Sequence, residues 1–241
     1  MREPPPEEDA APSAGARKRR RAGDTAIPDG AKPPRQRLST ESRERQILDG
    51  AIAFFSERGL DGQTRELAQQ IGITHPLLYH YFPNKRALIE RVYEEVYLGR
   101  WRNEWEAWIS DRSQPLQDRL LRFYLAYARA ILTKEWVRIL VFSGLSDGYV
   151  PDQYMALLKE RLFPPIWREV RHALGIANAS KPTERELELM WGMHGGIFYI
   201  GVRHWIYGQP MPADLEAVLA DRVHAFMLAA PSVFKKPASR A

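Results

Sequence analysis

From Thr40 onward the apolar residues of this chain recur at three- and four-residue steps, and no convincing period-two run interrupts them. Side chains return to one face of a helix about every 3.6 residues and to one face of a strand every second residue, so the pattern predicts helices packed on helices. Ile47, Leu48, Ala51, Ile52, Phe54 and Phe55 form the first stripe, and Gly59 follows as a stop. A shorter segment, Thr64 to Ile71, carries Leu67, Ala68 and Ile71 on one side and ends at Gly72. Thr74 then suits the N-cap of another short helix, with Pro76 in its first turn, where a missing N–H does little harm. Leu77, Leu78, Tyr81 and Phe82 continue that helix to Pro83 and Asn84. A fourth starts near Lys85 and runs through Leu88, Val92 and Val96 toward Trp101 and Trp108.

The remainder reads the same way. Leu116, Leu120, Phe123, Tyr127 and Ile131 make one stripe, and a short, almost wholly apolar segment spans Trp136 to Leu145. A helix from Asp152 presents Leu157, Leu158, Leu162 and Phe163, is disturbed by Pro164 and Pro165, and resumes through Trp167 and Val170 to Gly175. Thr183 and Glu186 match a capping box at the head of a long helix ending near Gly208. Pro212 and Ala213 open the last helix, in which Leu215, Val218, Leu219, Val223, Phe226 and Met227 keep a seam-like spacing to Ala229.

The stretch Gln63–Lys85, QTRELAQQIGITHPLLYHYFPNK, places two short helices around a glycine-containing turn. Such a pair can lay its second helix in a DNA major groove while the first braces it against the backbone. Ala68 is small where the helices approach, and Leu67, Ile71, Ile73 and Leu78 supply the core beneath. From Arg45 to Tyr93 the strings RQILDGAIAFFSERG, TRELAQQIG and ITHPLLYHYFPNKRALIERVY resemble the DNA-binding domain of the TetR family, in order and in spacing. One departure is visible: between Gly59 and T-R-E-L-A the chain is one residue shorter than a family member close to it in these motifs.

The resemblance implies an all-α protein, with a three-helix helix-turn-helix domain over 39–90 and a larger helical ligand-binding and dimerisation domain over 91–232. It implies that Arg65 reaches a guanine edge, where a planar guanidinium suits the O6 and N7 acceptors. Thr64 would hold a phosphate at a helix start. Thr74, His75, Pro76 and Leu77 would form the front of the recognition helix, Tyr79 and His80 would make phosphate and groove contacts, and Lys85 would clamp backbone phosphate. Two blander roles stay open: Tyr79 as a packed aromatic, and Arg65 as a solvated charge paired with Glu66 or Gln69. His75 and His80 lie five apart and do not stack on one face, so they do not read as a metal pair.

In the family resembled, the second domain binds a small molecule and its last two long helices pair with those of a second subunit. The implied partners are therefore a palindromic double-stranded operator, an effector of unknown identity and a second copy of the chain, with repression the expected outcome. The pocket candidates are Phe123, Tyr127, Trp136, Phe142, Tyr154, Trp167, Trp191, His194 and Phe198, with His194 the candidate for polar recognition. Gly192, Gly195 and Gly196 fall mid-helix, where glycine costs about 1 kcal/mol relative to alanine. Close helix approach at a dimer, room for a ligand, or a packing notch within one subunit would each compensate. An unbroken helix from Lys85 to Trp101 would carry effector binding to the DNA face.

Composition bounds the rest. The formal net charge of +5 favours anionic partners without naming one, and the absence of Cys rules out disulfides and thiolate metal sites. There is no phosphate loop, H-E-x-x-H or G-x-S-x-G, and Glu94 and Glu95 point apart on a helix, so no catalytic residue, metal or cofactor is expected. With no apolar h-region, and no apolar stretch judged to approach the roughly 18 residues of a bilayer span, a cytoplasmic, nucleoid-associated protein without membrane contact is expected. Residues 1–38, rich in Pro, Ala, Gly and charge, read as a disordered basic arm and 233–241 as a disordered tail. The cluster Arg17–Arg21, with Lys32, Arg35 and Arg37, is either a solubilising tail or an arm lying along DNA.

Overall fold

The structure, a computed structural model, describes residues 39–146, 148–177 and 181–235. The expected basic arm and residues 236–241 of the expected tail lie outside the described residues.

Eleven α-helices and no strand occur among the described residues. Thr40–Arg58 (α1), Thr64–Gln70 (α2), His75–Tyr81 (α3) and Lys85–Val96 (α4) come first; a 3₁₀ turn, Leu98–Arg100, separates α4 from Glu104–Ser110 (α5). The body continues with Leu116–Ile131 (α6), Lys134–Gly144 (α7), Tyr149–Leu157 (α8), a π-helical turn over Leu158–Leu162, and Phe163–Ala173 (α9). Two long helices, Glu184–Trp205 (α10) and Leu215–Phe234 (α11), pack along each other and against α6.

Caps fix where these helices begin. Ser39, Thr74, Asn84, Thr133 and Asp214 each accept a backbone N–H at a helix start, and Thr183 with Glu186 closes a reciprocal capping box on α10. The first helix buries Ile47, Leu48, Ala51, Phe54 and Phe55. Gly50 lets α2 come close: a Cβ there would sit 2.2 Å from Ile71 Cγ2. Gly72, at φ +71°, takes the left-handed turn between α2 and α3 that an L side chain resists.

Three boundaries differ from expectation. The fourth helix does not reach Trp101. It stops at Val96 because Arg100 is drawn away to the α6–α7 turn, its Nη1 donating to Ala130 O at 2.8 Å and Thr133 Oγ1 at 2.9 Å, and Trp101 is extended. The irregularity expected at Pro164 and Pro165 begins a turn earlier, as the π-helical segment, while the prolines sit in the first turn of α9, where no intrahelical N–H is needed. The last helix begins at Leu215 and passes through Pro231 to Phe234, so Val233 and Phe234 are helical rather than tail; Phe234 is buried and anchors that final turn.

One composition judgement is also corrected. By length and composition α11 is apolar enough to cross a bilayer, with a mean hydropathy of 1.3, because its Ala, Leu and Val accumulate with few charges between them. Only 28% of that stretch is buried within the chain.

The first four helices are bolted to the body through α1. Arg138 of α7 donates from Nε to Ser56 O at 2.5 Å and from Nη1 to Trp205 O at 3.2 Å, joining the C-terminal ends of α1 and α10. Lys134 and Arg138 both pair with Glu57, and Arg45 crosses from α1 to Glu95 of α4 at 2.8 Å.

Candidate nucleic-acid interface and aromatic pocket

The helix-turn-helix stands on Leu67, Ala68 and Leu78, all buried, with Ile71 and Ile73 half-buried against them. On this base α2 and α3 are tied by their own polar side chains. Thr64 Oγ1 lies 3.0 Å from His75 Nε2 and 3.0 Å from the Tyr79 hydroxyl, and the His75 and Tyr79 rings meet edge-on at 4.7 Å. Thr64 is itself buried, so its hydroxyl is used inside the protein, and Tyr79 is both a packed ring and a half-exposed one.

Arg65 is exposed and makes no hydrogen bond or ion pair with Glu66, Gln69 or any other described residue. Its guanidinium thus keeps its donors for an outside acceptor. Thr74 caps α3 by accepting from Leu77 N at 3.3 Å, Pro76 and His80 are exposed, and Leu77 is half-buried. Lys85 opens α4 directly after its Asn84 cap, whose Oδ1 accepts from Ala87 N at 2.8 Å. The expected DNA-facing residues thus fall on the starts of three helices, Thr64 and Arg65 on α2, His75 to His80 on α3 and Lys85 on α4, and Thr64 joins the first two groups through His75 and Tyr79.

The body holds a second constellation. His194, in the middle of α10, directs Nε2 at the hydroxyls of Tyr127 (3.3 Å) and Tyr154 (3.5 Å). Tyr124, Phe163 and Trp191 surround the imidazole with ring centroids 5.9–6.2 Å away. Burial holds the His194 pKa down to about 3, because a charged imidazolium would be stranded among aromatic rings. Burial likewise pushes the Tyr124, Tyr127 and Tyr97 hydroxyls well up.

Of the expected pocket residues, Phe123, Tyr127, Trp136, Trp191, His194 and Phe198 join this ring system, as does Tyr154. Two do not. Phe142 lies against Gly59, under Arg138, where α7 meets the first helix. Trp167 donates from Nε1 to Glu186 Oε2 at 3.3 Å and belongs to an ion cluster with Arg171. Trp105, Tyr124 and Tyr97 were not singled out from the sequence. Tyr124 stands four after Leu120 and three before Tyr127, so the stripe of α6 already contained it; Trp105 shows only in three dimensions, packed edge-on against Phe123 and Tyr127. The rings continue toward the DNA end: Tyr154 to Tyr97 at 5.8 Å, then Tyr97 stacked on Tyr93 of α4 at 5.4 Å.

The mid-helix glycines divide. At Gly196 a Cβ would strike Arg222 Nη1 at 2.6 Å, a packing notch within the chain, whereas Gly192 and Gly195 have nothing within 4 Å.

Residues 47–92 match the model for bacterial regulatory proteins of the tetR family. The chain is 33% identical over 96 residues to the tetracycline repressor protein class D of Escherichia coli, an alignment covering 36% of this chain and only 42% of that protein. It is 23% identical over 178 residues to the HTH-type transcriptional repressor KstR2 of Mycolicibacterium smegmatis, across 72% of this chain and 84% of the relative. In fold it is similar to the crystal structure of a TetR-like transcriptional regulator from Rhodococcus sp. RHA1, with a TM-score of 0.61 at 17% identity over 81% of this chain and 99% of that one. The chain thus carries a helix-turn-helix segment that matches the tetR family of bacterial regulatory proteins, within a helical fold similar to that of a TetR-like regulator.

Proposed function

We propose that the chain is a sequence-specific DNA-binding transcriptional regulator that represses its targets from a palindromic operator until a small molecule alters its grip. The observation that carries this reading is Arg65, exposed and unpaired next to Thr64, whose hydroxyl ties the start of α2 to α3. A planar cation with free donors beside the front of α3 suits a guanine edge, while Lys85 and His80 suit phosphates. Thr64 acts in this reading by locking α3 onto α2 through His75 and Tyr79.

Residues 39–90 would then serve as the DNA-binding part and 91–232 as the effector and dimer part. A second copy of the chain, paired through α10 and α11, would cover Tyr199 and Leu228, which are 49% and 68% exposed, and the open faces of Gly192 and Gly195. It would also account for an apolar α11 so little buried within one subunit. The chain works as a binder and performs no chemistry, in keeping with a family of regulators.

Coupling between effector and operator cannot run along an unbroken α4. The ring contacts from Tyr154 through Tyr97 to Tyr93 support a different route, in which a shift of the body's aromatic rings moves α4 and with it Lys85. The test is selection of bound sequences from a random duplex pool, then gel shift at two salt concentrations with an Arg65→Ala control. Enrichment of a palindrome lost on substitution is the expected result; absence of enrichment would refute the reading.

A further inference from the structure

Three buried polar atoms in the ring system of the body have no hydrogen-bond partner: Trp105 Nε1, Tyr124 OH and His194 Nδ1. Buried polar groups are nearly always paired, because burial removes their water without replacement. These three belong to one contiguous set of rings, with Trp105 against Tyr127 at 5.7 Å, Tyr127 against His194 at 5.3 Å, and Tyr124 against His194 at 6.2 Å. All three side chains are more than nine-tenths buried.

The polarity of the orphans can be read. An indole N–H only donates. Two tyrosine hydroxyls face His194 Nε2, at 3.3 Å for Tyr127 and 3.5 Å for Tyr154; when the nearer donates to the one lone pair of Nε2, the ring proton sits on Nδ1 and makes that atom a donor as well. Tyr124 can donate or accept. The set thus asks for an acceptor. It does not ask for a charge: among the described residues no charged side chain makes a hydrogen bond, ion pair or ring-face contact with these rings. The body's buried ions are paired elsewhere, Arg119 with Glu169 at 2.9 Å and Glu186 with Arg171 at 2.8 Å, and the unpartnered Arg119 Nε belongs to the first pair. An anion entering the rings would lose its hydration and meet no counter-charge.

We propose that the rings around His194 are the binding site for an uncharged, ring-bearing molecule whose carbonyl or ether oxygen accepts from these unpartnered donors, Trp105 Nε1–H and the Tyr124 hydroxyl among them. The site deepens the regulator reading, and rests on it only for what binding does to DNA affinity. The wall is built to yield: Tyr154 and Phe163 flank the π-helical turn Leu158–Leu162, a segment that can exchange its hydrogen-bond register.

The test compares three probes of nearly one shape on the full chain: 2-acetylnaphthalene, 2-ethylnaphthalene, which lacks the acceptor, and 2-naphthoate, which adds a charge. Equilibrium dialysis and thermal shift are read for the wild type, Tyr124→Phe and Trp105→Phe, with binding of the selected duplex followed in parallel. The acetyl compound should bind tightest and raise Tm most, and each substitution should weaken it roughly three- to tenfold, the worth of one neutral hydrogen bond. Tyr124→Phe without probe should melt no lower than the wild type, since it deletes a hydroxyl that has no partner; a lower Tm would overturn the orphan assignment. Equal binding of the acetyl and ethyl compounds, preference for the naphthoate, or no binding by any of the three while the duplex is still bound would overturn the site and leave the regulator reading standing. Acetyl-selective binding by a protein that selects no duplex would support the site and sink the regulator reading instead.

Discussion

The two ends of the molecule handle buried polar atoms in opposite ways. In the helix-turn-helix the one buried hydroxyl of α2, on Thr64, is held by both His75 and Tyr79, and no unpartnered buried side-chain atom is found between Ser39 and Tyr97 among the described residues. In the body, Trp105, Tyr124 and His194 each leave one unpartnered. A satisfied network fixes α3 rigidly on α2, which is what reading a groove requires. Orphaned polar atoms within soft aromatic packing leave the body with an unmet preference that a ligand can fill.

The body also contains a buried ion pair, and breaking it should give the largest effect. Arg119 is buried, and Glu169 bonds both it and Arg112, at 2.9 and 2.8 Å. Glu169→Ala strands the buried guanidinium and should cost about 3–5 kcal/mol in chemical denaturation. A loss below about 1 kcal/mol would show that water reaches Arg119 and would erase the distinction between this pair and the orphans.

Next comes the DNA side. Arg65→Ala should weaken the selected duplex by about 1–3 kcal/mol in gel shift and relax preference at one base position, with unfolding unchanged because the side chain is exposed and unpaired. A matching fall in stability would place Arg65 in the scaffold.

Acid separates the two regions further. The folded His194 pKa is about 3, below the ordinary value near 6.5, so the unfolded chain takes up the proton first and stability falls as pH drops from about 6.5 toward 3. The slope should approach about 1.4 kcal/mol per pH unit, and His194→Phe should flatten it. Glu169 acts lower on the scale: burial raises its pKa, but the hydrogen bonds and charges of Arg112 and Arg119 outweigh burial and leave it lowered. Its contribution is therefore present above the ordinary carboxylate range and is lost as pH falls through the lower folded value. An acid limb of unchanged slope in His194→Phe would mean the imidazole is not held neutral by burial.

The smallest effect tests the satisfied end. Thr74→Ala removes the cap of α3 and should cost about 1 kcal/mol of stability, with a comparable loss of operator affinity because the front of α3 frays.

Much of the first region was legible in the sequence because its determinants are local. Thr74 caps α3 within three residues of itself, Gly72 supplies a positive φ, and T-R-E-L-A followed by P-L-L-Y fixes a helix-turn-helix whatever lies beyond it; in the body the box of Thr183 and Glu186 is local in the same way. The helical class and the stripe of α6 followed from period alone. What the chain could not reveal by itself depended on distant partners. The break after Val96 is set by Arg100 reaching Ala130 and Thr133, and the extension of α11 by burial of Phe234. Phe142 left the pocket for the first helix, and Trp105 entered the rings from a helix the pattern had merged with α4. Local hydrogen bonds and periodicity act over a few residues and can be read along the chain. Which aromatic meets which, and which polar atom is left without a partner, is decided only when helices far apart in sequence close on one another.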